Sequence, residues 1–178
     1  MMRAANVTFL FTDLVESTRI LDRLGDRAGE KLMRSHFDML RTAISRSDGH
    51  VVKTLGDGIM AIFRNPAAGV DCAVAMQHGV RRHNLANPDV PLAMRAGVHS
   101  GPAVRMGGDY YGIGVIIAKR LCDHCTGGQI IVSDSLRAQL AGQVDIYDDL
   151  GQLACKGLSG PVPAVALRWS GRTATYQN

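Results

Sequence analysis

No stretch of this 178-residue chain approaches the roughly 18 to 20 consecutive apolar residues that a membrane-spanning helix requires. Apolar stretches such as those at 7–11 and 115–118 fall far short, so no membrane partner is expected. Aromatic residues are scarce at 5%, and cations gather tightly only at Arg81, Arg82 and His83. The stacking residues and basic stripe of a nucleic-acid binder are therefore both missing, and no nucleic-acid partner is expected. Of four cysteines, only Cys122 and Cys125 have a metal-like spacing, while Cys72 and Cys155 stand alone. A zinc site would lack its second half, which points to ordinary reduced thiols. No G-x-x-x-x-G-K-[ST] segment occurs, which excludes a P-loop, and Gly112-Ile113-Gly114 lacks the third glycine and preceding strand of a dinucleotide fingerprint. Internal repeats, low-complexity segments and Pro/Ser-rich linkers are absent, so a single domain over 1–178 is expected, its core at about 7–167. The N-terminal segment meets Asp13 after one short apolar strand and has no small-residue cleavage site, so the reading is a cytoplasmic protein.

What is present suits one folded unit: 46% hydrophobic and 20% charged residues, with a net charge of +4. Residues 7–11 read as a buried strand. Ile20, Leu24, Leu32, Met33, Phe37, Leu40 and Ile44, spaced mostly three or four apart, predict one long helix over 17–45. Strand-like runs at 50–55 and 59–63 flank Gly56-Asp57-Gly58, the composition of a tight hairpin. A helix over 66–85 follows, and Leu92, Met94, Ala96 and Val98 alternate as a half-buried strand. This βαββαβ order predicts an α+β, ferredoxin-like core with both helices on one face of an antiparallel sheet. A glycine-rich loop at 101–114, a helix over 111–123, a strand at 129–132, a short helix and two final strands form a C-terminal α/β extension.

Two acids stand out. Asp13 closes the first strand and Asp57 sits at the hairpin tip, and the ferredoxin-like plan puts those strands side by side. Paired carboxylates completed by phosphate and water suit a hard divalent ion. Behind Asp13, the segment Leu14, Val15, Glu16, Ser17 and Thr18 opens the long helix, where unpaired backbone N–H groups suit a polyphosphate. Taken singly, Asp57 also reads as a turn residue and Asp13 as a helix-entry acid.

Three ordered motifs extend the pattern: 11–18 (FTDLVEST), 53–58 (KTLGDG) and 108–112 (GDYYG), followed by Ala118, Arg120, Leu121 and a closing Lys156-Gly157-Leu158 before Pro161. Together they resemble the catalytic domain of class III adenylate and guanylate cyclases of bacterial type, the nucleotide cyclase fold. The resemblance implies that Asp13, Asp57 and the Leu14 carbonyl hold two Mg²⁺ or Mn²⁺ ions. It implies that Lys53 and Asp109 read the base, Arg120 steadies the phosphate and Lys156 reaches the terminal phosphates. It further implies a homodimer whose sites form between subunits. A lysine donates to adenine N1 and an aspartate accepts from its exocyclic amine, so the pair favours ATP.

The chain departs from that pattern in one place. The family's transition-state Asn and Arg stand four apart on a helix face, but here Arg120 is preceded by Ile116, and no Asn occurs between Asn87 and Asn178. The next position, usually small, is Lys119. Two readings follow: an adenylate cyclase of reduced activity, or a degenerate cyclase homology domain that binds nucleotide and dimerises as a regulatory module. A diguanylate cyclase signature around Gly107-Gly108-Asp109-Tyr110 lacks the acid after Asp109, and an RNA-binding domain on the same plan would need aromatic strand residues that are missing.

Overall fold

A computed structural model describes residues 5–140 and 146–172. The first four residues of the N-terminal segment lie outside that range. The elements are β1 (Ala5–Leu14), α1 (Ser17–Leu24), α2 (Asp26–Arg46), β2 (His50–Leu55), β3 (Gly58–Phe63), α3 (Pro66–Ala86), β4 (Met94–Met106), β5 (Asp109–Tyr111), α4 (Ile113–His124), β6 (Ile130–Ser133), α5 (Asp134–Gln139), β7 (Tyr147–Leu153) and β8 (Val162–Leu167). The sheet runs β2-β3-β1-β4-β6-β8-β7, with β5 hairpinned onto β4 outside that path. β4 and β6 are parallel and the other pairs antiparallel. The first four strands in that order carry the expected ferredoxin-like arrangement, and β6 to β8 extend it.

β1 is apolar on both faces because both faces are covered. Leu10 points to one side with Ile59, Ala61 and Phe63, against Leu40 and Ile44 of α2 and Val70 and Val74 of α3. Phe9 and Phe11 point to the other side with Met60, against Ala118 and Cys122 of α4. Full burial of a side chain such as Phe9 stabilises by roughly 1.5–3 kcal/mol. α2 and α3 thus share one face, as the βαββαβ order requires, and α4 closes the other.

Three expectations need correction. The helix over 17–45 is two helices, broken at Gly25, whose backbone (φ 74, ψ 169) leaves the helical region while its N–H donates to the Leu21 carbonyl at 3.0 Å. The apolar spacing runs through this break because α1 and α2 contribute to the same core. The glycine-rich loop is largely strand: residues 101–106 continue β4, and a turn at Gly107-Gly108 returns the chain as β5. Helix α4 accordingly begins at Ile113 rather than at 111. The half-buried strand is buried on both sides over 96–101, because α4 packs directly on its backbone. A Cβ at Gly97 would lie 2.2 Å from the Cys122 amide nitrogen, so only glycine admits that approach. The hairpin tip also differs in detail. Its two loop residues are Gly56 and Asp57, with a positive φ of 63° at the first, the pattern of a type II′ turn.

The α3 entry follows ordinary capping, with Asn65 Oδ1 accepting from the Ala67 amide at 2.9 Å ahead of the helix. Cys122 and Cys125 are buried, their thiols donating to the Arg95 and Ala96 carbonyls, and burial pushes the Cys125 thiol up to about 12. Among the described residues no helix is long and apolar enough to cross a membrane.

His99 on β4 is buried, with Nδ1 2.7 Å from the Ser133 hydroxyl, and burial pulls its pKa down to about 4. The unfolded chain, with an ordinary value near 6.5, binds the proton more readily, so this stability is complete above pH 6.5 and is lost as the pH falls towards 4. Urea unfolding at pH 7 and pH 5 should show His99→Gln losing about 2 kcal/mol less than wild type over that interval. Equal losses in the two proteins would contradict a neutral buried imidazole.

Candidate active site

The β1–β3 ladder pairs Phe11 with Met60, and continuing it by two residues sets Asp13 opposite Gly58, beside Asp57. A Cβ at Gly58 would lie 1.8 Å from the Thr12 carbonyl oxygen, so the absence of a side chain there lets the hairpin tip close on β1. The two carboxyl groups touch, and the Asp13 pKa is raised, first by burial and then by Asp57, with Arg95 pulling the other way. Arg95 faces Asp13 across the β1–β4 ladder. Both its Nε, at 2.8 Å, and its Nη2 donate to the same oxygen, Asp13 Oδ2. Asp57 Oδ1 accepts the Leu14 amide at 3.3 Å. Each carboxylate thus commits one oxygen to the protein, which fixes its orientation, and has a second for a ligand.

Beneath the tip lies His36 of α2. Its Nε2 is 3.2 Å from the Asp57 carbonyl oxygen, so Nε2–H donates, and Nδ1 is buried with no hydrogen-bond partner among the described residues. Burial lowers its pKa to about 4. Sequence reasoning missed both Arg95 and His36. The signal for Arg95 was the sheet plan itself, which sets β4 alongside β1, whereas His36 fell on a helix face and carried no motif.

Two acids in contact are the donor set a hard cation takes, with the rest of its shell supplied by phosphate and water. No cluster of three His, Cys, Asp or Glu side chains occurs among the described residues, so such an ion would be shared with a substrate rather than caged by the protein. The start of α1 is only partly as expected. The Leu14 amide goes to Asp57 and the Val15 amide to the Ala93 carbonyl at 2.8 Å, so neither is open to a phosphate. What remains is the first turn of α1, where Glu16 adopts a left-handed conformation (φ 54) as an N-cap that makes no side-chain cap, followed by Ser17 and Thr18.

Lys53 and Asp109 also meet. A bulge between Val51 and Lys53 interrupts the β2–β3 ladder, and the Lys53 ammonium donates to Asp109 Oδ2 at the start of β5. Asp109 Oδ1 accepts the Tyr110 amide at 2.8 Å, and Lys53 followed by this amide holds the Asp109 pKa below its ordinary value.

The third group lies on α4. Arg120 Nε donates to the Lys156 carbonyl at 2.9 Å and Nη1 to Asp123 Oδ2 at 3.1 Å, while Lys119 donates to Asp123 Oδ1. The structure therefore brings Asp13, Leu14 and Asp57 together, Lys53 to Asp109, and Arg120 to the Lys156 backbone. Ile116 stands one turn before Arg120 with its side chain partly exposed.

The profile of the adenylate and guanylate cyclase catalytic domain matches residues 1–176. The chain belongs to that cyclase family. Among curated relatives, a pH-sensitive adenylate cyclase of Mycobacterium tuberculosis is 29% identical over 174 residues, 93% of this chain and 41% of the relative. A serine/threonine-protein kinase, pkn2, of Myxococcus xanthus is 32% identical over 101 residues, 56% of this chain and 12% of that protein. The cyclase domain thus spans less than half the length of either relative. Among solved structures, the adenylyl cyclase CyaB of P. aeruginosa superposes with a TM-score of 0.84 at 24% identity, covering 94% of this chain and 95% of that one. The guanylyl cyclase Cya2 superposes with a TM-score of 0.82 at 23% identity, covering 93% of each. Both confirm the nucleotide cyclase fold.

The tight crossing at Gly58 makes a prediction for this cyclase domain. Gly58→Ala should push the hairpin tip off β1, costing about 1–3 kcal/mol in urea unfolding. It should also abolish Mn²⁺ binding measured by electron paramagnetic resonance. A variant that retains wild-type Mn²⁺ affinity would show that the Asp13–Asp57 contact is not what holds the ion.

Proposed function

We propose that this domain is an adenylate cyclase, converting ATP to 3′,5′-cyclic AMP and pyrophosphate at sites formed in a homodimer. The observation that carries the reading is the contact of Asp13 with Asp57, each with one oxygen committed to the protein. Two Mg²⁺ or Mn²⁺ ions, bound by these carboxylates and the Leu14 carbonyl, would supply charge for ionising the ribose 3′-hydroxyl and for the phosphates as pyrophosphate leaves. The protein's own part is orientation. Arg95 and the Leu14 amide hold the two carboxylates in register. The first turn of α1, at Glu16, Ser17 and Thr18, offers amide donors to the polyphosphate. Arg120 presents a planar fork of donors to phosphate oxygens, and Lys156 stands on the loop to which Arg120 is tied.

Base choice rests on Lys53 and Asp109. Their mutual pairing fixes an ammonium that only donates beside a carboxylate that only accepts, the complement of adenine N1 and its exocyclic amine. Guanine presents the reverse order at those two positions. The dimer is supported by exposed apolar side chains on β2 (Val51, Leu55), at the end of β4 (Met106), on β5 (Tyr111) and on α4 (Ile113, Ile116). One chain carries both the metal acids and the base pair, so two copies give two equivalent sites.

A second reading, a degenerate module that binds nucleotide and dimerises, is favoured by Ile116, which offers no hydrogen-bond donor to the ribose. Removal of one such donor commonly costs about 10² to 10³ in rate.

Purified protein with Mn²⁺ should produce cyclic AMP from ATP in preference to cyclic GMP from GTP, with specific activity rising with protein concentration, and Asp57→Ala should fall to the protein-free background. If wild type and Asp57→Ala give the same background, the degenerate reading holds. Ile116→Asn should raise kcat, by up to about 10²-fold. An unchanged kcat would remove Ile116 from the account of weak activity.

A further inference from the structure

On α4, Gly114, Ala118, Leu121 and Cys122 are buried against the sheet, which leaves Ile113, Ile116, Lys119, Arg120 and Asp123 on the outer side. Three of these form one charged cluster. Lys119 donates to Asp123 Oδ1 and Arg120 to Asp123 Oδ2, so two cations share a single carboxylate and the cluster keeps a net charge of about +1.

Helix stability does not account for this cluster. A lysine four residues before an acid is the weaker order for an i,i+4 pair. Asp123 also lies in the last turn of α4, which ends at His124, where a negative charge opposes the helix dipole. The carboxylate does something else: it holds two neighbouring cations side by side, and the Arg120 guanidinium is further anchored by the Lys156 carbonyl. The adjacent Cys122 thiol lies 3.7 Å from the carbonyl of Arg95, the partner of Asp13, so the cluster adjoins the strand that serves the paired acids.

Side chains on a helix lean towards its N-terminus. From Lys119 that direction passes over Ile116, one turn earlier, where the helix surface carries no donor. The lysine stem is about as long as a helical turn is high, so the ammonium covers that gap once it leaves Asp123. A triphosphate, with several anionic oxygens against one carboxylate, supplies the reason to leave.

We propose that Lys119 is a further nucleotide-binding cation of this domain, acting beside Arg120 and reaching over Ile116 to donate where isoleucine cannot. The inference rests on the cyclase reading of the site. Asp123 is the shared counter-charge that pre-positions both cations.

The test uses the full chain as wild type, Lys119→Met, Lys119→Arg, Ile116→Asn and the Ile116→Asn/Lys119→Met double variant. Binding of α,β-methylene-ATP, which cannot release pyrophosphate, is measured by calorimetry with Mn²⁺, and cyclic AMP formation is followed in parallel. Lys119→Met should weaken analogue binding about tenfold, the loss of one charge-assisted contact, while Lys119→Arg stays within about threefold of wild type. With Asn at 116, the same Lys119→Met change should cost clearly less, because the amide then supplies the donor. Urea midpoints should hardly move, as befits a half-exposed ion pair.

Analogue affinity unchanged by Lys119→Met, or weakened equally in both backgrounds, overturns the proposal. A wild type that forms no cyclic nucleotide but loses analogue affinity on Lys119→Met refutes the enzymatic reading and supports the binding role of Lys119. Active wild type with unaltered binding in Lys119→Met does the reverse.

Discussion

Two carboxylates in contact are an unfavourable arrangement, since like charges at that range repel. Here the contact at Asp13 and Asp57 organises its surroundings. Arg95 neutralises Asp13 through a single oxygen, the Leu14 amide takes one oxygen of Asp57, and the buried His36 ring supports the hairpin backbone at Asp57. None of these contacts is local in sequence. They exist because β1 lies between β3 and β4, which delivers Asp13 to the hairpin tip on one side and to Arg95 on the other. The ferredoxin-like strand order is thus the physical means by which an acid on one strand gains both a like-charged neighbour and a counter-cation.

The second constraint is the closeness of α4 to β4. With backbone against backbone at Gly97, the helix has little freedom to rotate about its axis without moving Ala118 and Cys122 out of the core. That fixes which residues face outward, and so the direction of Arg120, Lys119 and Asp123. The charged edge of α4 and the paired acids are therefore held by one rigid layer, with Arg95 on the strand between them. Both depend on a glycine that admits backbone contact, Gly58 for the acids and Gly97 for the helix.

Much of this was legible in the sequence, and the remainder was not for identifiable reasons. The hairpin over 50–63 and the helix from Pro66 followed from turn chemistry and apolar periodicity, which are local signals. The approach of Asp13 to Asp57 followed from the strand order alone. The break at Gly25 escaped because a glycine in a long amphipathic pattern is also tolerated within a helix, and the two helices continue the same apolar face. Double burial of β4 escaped because Gly97 carries no hydrophobic signal, although the missing side chain is what allows α4 to sit there. Commitment of the Leu14 and Val15 amides could not be seen either, since their acceptors, Asp57 and Ala93, are distant in sequence.

The exposed apolar side chains of β2, β4, β5 and α4 would serve a cyclase and a non-catalytic dimer equally well, because covering Met106, Tyr111 and Ile113 is favourable whatever the subunits do afterwards. The acids are different. A chain that needs only to dimerise gains nothing from a half-buried carboxylate pressed against a second one, and replacing either with a neutral residue would relieve the repulsion. Arg95 offsets only part of that cost, since its bonds go to one oxygen of one acid. A cation between the two carboxylates would remove the rest, and a hard divalent ion would complete its shell with phosphate oxygens. The balance of charge at the end of β1 therefore argues for metal-assisted phosphate chemistry more strongly than the isoleucine on α4 argues against it.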